Sequence, residues 1–112
     1  MKKFFVVYKA TPEEFQKMMA NSTPEEQKAG MEEWKKWMDA HKANLVDSGA
    51  PLGKTKEVSK GGTVKDIKND IGGYSIVQAE SHDAAAKIFA DSPHFSMMGG
   101  TVEVMEIAEM PM

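Results

Sequence analysis

Three histidines, His41, His82 and His94, carry the acid–base options of this chain, which contains no cysteine. The missing thiol removes cysteine nucleophiles, thiolate metal sites and disulfides together. There is no Gly-Ser-Gly nucleophile elbow either. Proton transfer by a histidine beside a carboxylate is then the main catalytic chemistry left. A metal site is not expected, because the histidines lack i, i+4 spacing and no His-Glu-x-x-His pattern occurs. Nor does a phosphate-binding glycine loop lead from a strand into a helix, so no cofactor is expected.

His94 lies in "DSPHFSMMGG", Asp91 to Gly100, directly after Pro93. Two readings stand for it. On a restrained loop it is an acid–base group at a pocket rim, since such loops carry function more often than core elements do. Alternatively its imidazole hydrogen-bonds backbone and closes the turn into Gly99-Gly100. His41 also supports two readings. It is a core residue with one satisfied hydrogen bond, or a base whose tautomer is fixed by Asp47 or a partner chain's carboxylate. His82 sits at a helix start, where positive charge is disfavoured, and reads as a surface residue.

The ten methionines suit an adaptable pocket, because the thioether is flexible and polarizable. Trp34 and Trp37 offer flat surfaces to an aromatic ligand. Trp34, Met38, Tyr74 and Met97 are the candidate ligand contacts, although a Met and aromatic stripe describes a core equally well.

The elements that must position these groups can be read along the chain. A length of 112 residues with 41% hydrophobic and 28% charged composition makes one soluble folded domain, 1–112. A net charge of −3 argues against a nucleic-acid partner, which needs a basic face. Lys54, Lys56, Lys60, Lys65 and Lys68 are interleaved with Glu57, Asp66 and Asp70 and read as a solvated hairpin surface. The opening "MKKFFVVYK" has lysines before an apolar run, but Phe4 to Tyr8 is too short for a signal core or a membrane span. It reads as a strand, with no membrane partner and the cytoplasm as location.

"TPEE" occurs at Thr11 and again at Thr23. Each copy has a capping threonine, a proline at the first helical position and a glutamate three residues on. Two helix starts follow, one running from Pro12 to about Ala20 and one from Pro24 to about Ala43. The longer helix carries an apolar stripe of Met31, Trp34, Met38, His41 and Leu45, with Trp37 beside it. "NLVDSGAPLG" reads as a turn through Gly49 and Pro51, and "KTKEVSKGGTVKDIK" as a hairpin turning near Gly61-Gly62. "YSIVQAE" is a strand, "SHDAAAKIFADS" a helix capped by Ser81, and "TVEVMEIAE" the last strand.

The order is β-α-β-β-α-β, an α+β ferredoxin-like arrangement with an antiparallel sheet. Both faces of its strands are apolar: Phe4, Val6 and Tyr8 oppose Phe5 and Val7, and Tyr74 and Ile76 oppose Val77 and Ala79. Two helices cover one face, so a homodimer packed through the other sheet face is expected.

Taken together, these residues resemble the YCII-related, or DGPF-domain, family. The resemblance rests on "KFFVVYK", "LVDSGAPLG", "IGGYSIVQAES", "DAAAKIFADSPHF" and the closing "GGTVEVMEI". It implies a ferredoxin-like domain that forms a dimeric α/β barrel. The family's Asp-Gly-Pro-Phe motif falls on Gly61-Gly62-Thr63-Val64, where Gly62 matches, Val64 stays apolar, and the Asp and Pro are absent. Some YCII-like proteins resemble lyases or dehydrochlorinases of small aromatic compounds that use a His-Asp pair; the corresponding helix position here falls near Glu33. Three functions follow as expectations. One is binding of a small, possibly aromatic metabolite in a helix–sheet cavity. A second is a cofactor-independent lyase or isomerase using His94 or His41 with Asp47 or Asp66. The third is an interaction subunit alone.

Overall fold

A computed structural model of the chain describes residues 1–98 and 100–108, the side chains of 96–98 excepted. Its elements are β1 (Lys2–Lys9), α1 (Pro12–Asn21), α2 (Pro24–Ala40), β2 (Leu45–Pro51), β3 (Thr55–Val58), β4 (Val64–Ile67), β5 (Ile71–Ala79), α3 (His82–Ile88), α4 (Pro93–Met98) and β6 (Thr101–Glu106). Four strands form one sheet in the order β2-β5-β1-β6, and every pairing in it is antiparallel. With β2, β5 and β6 as the second, third and fourth strands, this is the ferredoxin-like order. Among the described residues β3 and β4 pair only with each other.

The sheet's second strand is therefore "LVDSGAP", which the sequence presents as a turn. Its turn residues shape a bulged strand instead: the pairing with β5 shifts register between Leu45 and Asp47 and again between Asp47 and Ala50. Gly49 makes the second irregularity possible. Its φ of 77° is left-handed, and a Cβ there would collide with the Tyr74 carbonyl.

Helix starts follow the expected chemistry. Thr11 accepts from the Glu14 amide at 3.1 Å while the Glu14 carboxylate accepts from the Thr11 amide at 3.2 Å, a reciprocal cap. Thr23 accepts from the Glu26 amide at 3.1 Å, and Ser81 from the Ala84 amide at 3.1 Å. The stripe of α2 is buried over only part of its expected length. Trp37 is buried and Trp34 and Met38 are half-buried, whereas Met31 is 74% exposed. Only the C-terminal half of α2 reaches the sheet layer.

The core forms where β1 and β5 meet the helices. Phe4, Val6 and Tyr8 pack with Val77 and Ala79 of the sheet, and with Trp37, Ala85 and Phe89 of α2 and α3. Removing Phe4 or Phe89 from water is worth about 1.5–3 kcal/mol each. On the opposite sheet face Phe5 stacks on Tyr74 at 5.8 Å and 20°. Val7 is buried there, Ile76 is half-buried, and Met105 is 42% exposed.

Candidate functional site

His94 is the second residue of the short helix α4, where the sequence suggests a loop, and is 2% exposed. Its Nε2 lies 2.9 Å from the main-chain oxygen of Lys9, the last residue of β1. A carbonyl only accepts, so Nε2 carries the proton and donates it. The ring lies 5.7 Å from that of Tyr8. Gly100 closes the arrangement: a Cβ there would strike the Lys9 carbonyl and come within 3.1 Å of the imidazole. Lys9 itself points to solvent, where the carboxylates of Asp70 (3.2 Å) and Glu103 (3.3 Å) hold its ammonium above the ordinary lysine range.

His41 forms the C-cap of α2 and stacks obliquely on Trp37, with ring centroids 4.9 Å apart. Its nearest carboxylate is Asp91, at 3.9 Å, which also accepts from the Trp37 indole N–H at 3.2 Å. Asp47 plays no part in this group. It accepts from the Gly49 amide at 2.8 Å and helps fold the β2 bulge. Asp66 is paired with Lys56 at 2.6 Å on the hairpin. His82 is exposed, and its Nε2 donates to the Val104 carbonyl at 2.8 Å.

The space between α2 and the sheet is filled by rings. Tyr8 meets Trp34 edge-on at 5.2 Å and Phe89 at 6.0 Å, and Trp37 meets Phe89 at 5.2 Å. The Tyr8 hydroxyl is 2.8 Å from Ser75 Oγ, and that hydroxyl donates to the Ser48 carbonyl at 2.9 Å. With the Ser75 proton so engaged, Tyr8 is the donor to Ser75. Burial pushes the Tyr8 phenol above its ordinary pKa. Trp34 and Met38 pack against this cluster, whereas Tyr74 lies across the sheet on the opposite face. These three do not line one cavity. The Met97 side chain lies outside the described residues.

Open space occurs elsewhere, in a cleft of about 340 Å³ at the foot of the hairpin. One wall is the β1–α1 connection with Phe15 and Gln16 of α1, and the other is Pro51 to Thr55. Ile67, Lys68, Asn69, Ile71 and Gly72 form the floor between β4 and β5. Main-chain bonds from Ala10 to Asp70 (2.7 Å) and from Leu52 to Gly72 (3.0 Å) tie these walls together. Phe15 and Leu52 are 48% and 46% exposed, so the cleft presents apolar surface to solvent. A second hollow of about 210 Å³ lies between α3 and β6, where His82, Phe89 and Phe95 line it.

The larger cleft was not legible from residue types. It contains no histidine, aspartate or glutamate, the residues that a search for acid–base chemistry selects. The described residues hold no group of three or more metal-ligating side chains. None of the described helices is long and apolar enough to cross a membrane.

A four-stranded antiparallel sheet in this order, with helices on one face and a hairpin inserted before its third strand, defines a ferredoxin-like α+β domain. The chain belongs to the YCII-related domain family, whose model matches residues 3–111. Among solved structures it is similar to 5-chloro-2-hydroxyhydroquinone dehydrochlorinase (TftG) from Burkholderia phenoliruptrix, determined with 2,5-dihydroxybenzoquinone. The two are 24% identical over 90% of each chain, with a TM-score of 0.49. Comparison with curated proteins gives no match.

Proposed function

We propose that this YCII-related chain binds a small molecule in the cleft at the foot of the hairpin. The observation that carries the reading is a cleft of about 340 Å³, at the lower end of the range for small-molecule sites. Phe15 and Leu52 stand half-exposed at its walls. An apolar ligand body covering them gains the burial that the free chain lacks. Binding is favoured over turnover, because the lining of the cleft holds no histidine, aspartate or glutamate to form an acid–base pair. The lyase reading names His94 or His41 with Asp47 or Asp66, and none of these four lines the cleft.

The outer sheet face supports a second part of the proposal, a homodimer packed through Phe5, Val7, Tyr74, Ile76 and Met105. Exposed apolar surface on a sheet is costly in water, and a second copy is the simplest cover. The cytoplasm is retained as the proposed location.

An amide-resolved NMR screen of small aromatic and branched aliphatic compounds tests the binding reading. Saturable shifts are expected at Ala10, Thr55, Ile67 and Ile71. Shifts confined to residues around His41 or His94 would overturn it and favour the lyase reading's candidate groups.

A further inference from the structure

The hairpin at the cleft has an ordered charge pattern with one exception. Its register sets Thr55 opposite Ile67, Lys56 opposite Asp66, Glu57 opposite Lys65 and Val58 opposite Val64. The two charged positions are complementary, with Lys56 to Asp66 at 2.6 Å and Lys65 to Glu57 at 3.4 Å. Just beyond the last pair, where both strands end, Lys54 and Lys68 flank the base of the hairpin, two like charges on its two arms. Like charges brought close together repel. Neither lysine has a carboxylate within ion-pair distance among the described residues. Both line the cleft.

An uncompensated pair of ammonium groups at the mouth of an apolar cleft is what an organic anion would neutralise. We infer that the cleft's ligand is a carboxylate on a small, flat apolar body, with Lys54 and Lys68 each donating to the carboxylate and Phe15 and Leu52 covering the ring. Two separate ammonium donors can each engage one oxygen of a carboxylate, and such charge-assisted bonds are stronger than neutral ones. Gln16, which also lines the cleft, adds a neutral amide donor. The inference rests on the cleft being the binding site and adds the charge of what enters it.

Benzoate and benzyl alcohol share a ring and differ in charge, so they separate the two claims. Titration of the full chain at low ionic strength, followed by amide shifts at Thr55, Ile67 and Ile71, is expected to give tighter binding of benzoate. Lys54→Gln and Lys68→Gln should each weaken benzoate binding by about tenfold and leave benzyl alcohol unchanged. Lys60→Gln, at the hairpin turn, should leave the binding of both probes unchanged. Removing one member of a repulsive pair should also leave the unliganded variants at least as resistant to urea as the parent. Equal affinities for the two probes, or benzoate binding indifferent to both substitutions, would overturn the anion claim with the cleft still occupied. Failure of both probes to shift cleft residues would overturn the binding site itself, and the anion claim with it.

Discussion

The imidazole of His94 donates across 2.9 Å to the main-chain oxygen of Lys9, joining the start of α4 to the end of β1. Ala10, the next residue, forms part of the cleft wall. His94 thus holds the strand end that leads into the cleft without itself lining that cleft. A buried side chain holding the end of a strand makes it a structural clip first. His94→Ala should cost roughly 2–4 kcal/mol, from the lost hydrogen bond and the cavity left behind. Urea denaturation measures this directly. Unchanged stability would show that the clip carries little.

Tyr8 makes a prediction for alkaline pH. Its folded pKa is raised above the ordinary 10.0 by burial, so the folded chain keeps a proton that the unfolded chain releases. The resulting contribution is whole below that ordinary value and is lost as pH rises through the folded one. Tyr8→Phe should lower stability near neutrality by about 1 kcal/mol, through loss of the Ser75 hydrogen bond. It should also flatten the alkaline limb relative to the parent. Parallel limbs for the two proteins would contradict the assignment.

The His41, Asp91 and Trp37 group is weakly coupled on geometric grounds. His41 and Asp91 are 3.9 Å apart with side chains 25% and 77% exposed, so solvent screens them. A double-mutant cycle on His41→Ala and Asp91→Ala should give a coupling below about 0.5 kcal/mol. Coupling well above about 1 kcal/mol would mean that the pair is engaged more closely than the geometry allows.

The sheet face predicts an oligomeric state. Light scattering at micromolar concentration should report a dimer, and Ile76→Lys, at the centre of the outer face opposite Phe5, should report a monomer. A monomeric parent chain would remove the face-to-face pairing.

Much of the fold was legible because its signals are local. Thr11, Thr23 and Ser81 announce helix starts through short-range hydrogen bonds, and β1 is β-branched and aromatic throughout. The second strand was hidden because Gly49 and Pro51 spell a turn locally. Only pairing with β5, some 25 residues later, makes the segment a bulged strand. Met31 was misplaced for a related reason, since helical spacing defines a stripe but not how far along the helix the sheet extends. Of the candidate site, the histidines could be found but not their partners. His94 meets a carbonyl, which no sequence pattern marks, and His41 meets Asp91 across 50 residues. The cleft lysines left one trace, a hairpin whose charges alternate until Lys54 and Lys68, and it becomes visible only once the register is fixed.

The most direct test of the central claim fills the cleft. Gly53 lies in its wall, outside the left-handed region, with no heavy atom within 4 Å of where a Cβ would sit. Gly53→Trp should therefore fold and dimerise like the parent while occupying the ligand's space. In a benzoate titration followed by amide shifts, the parent should show saturable binding at Ile67 and Ile71, and the variant should show none. Equal binding by a folded Gly53→Trp chain would place the ligand elsewhere and contradict the account.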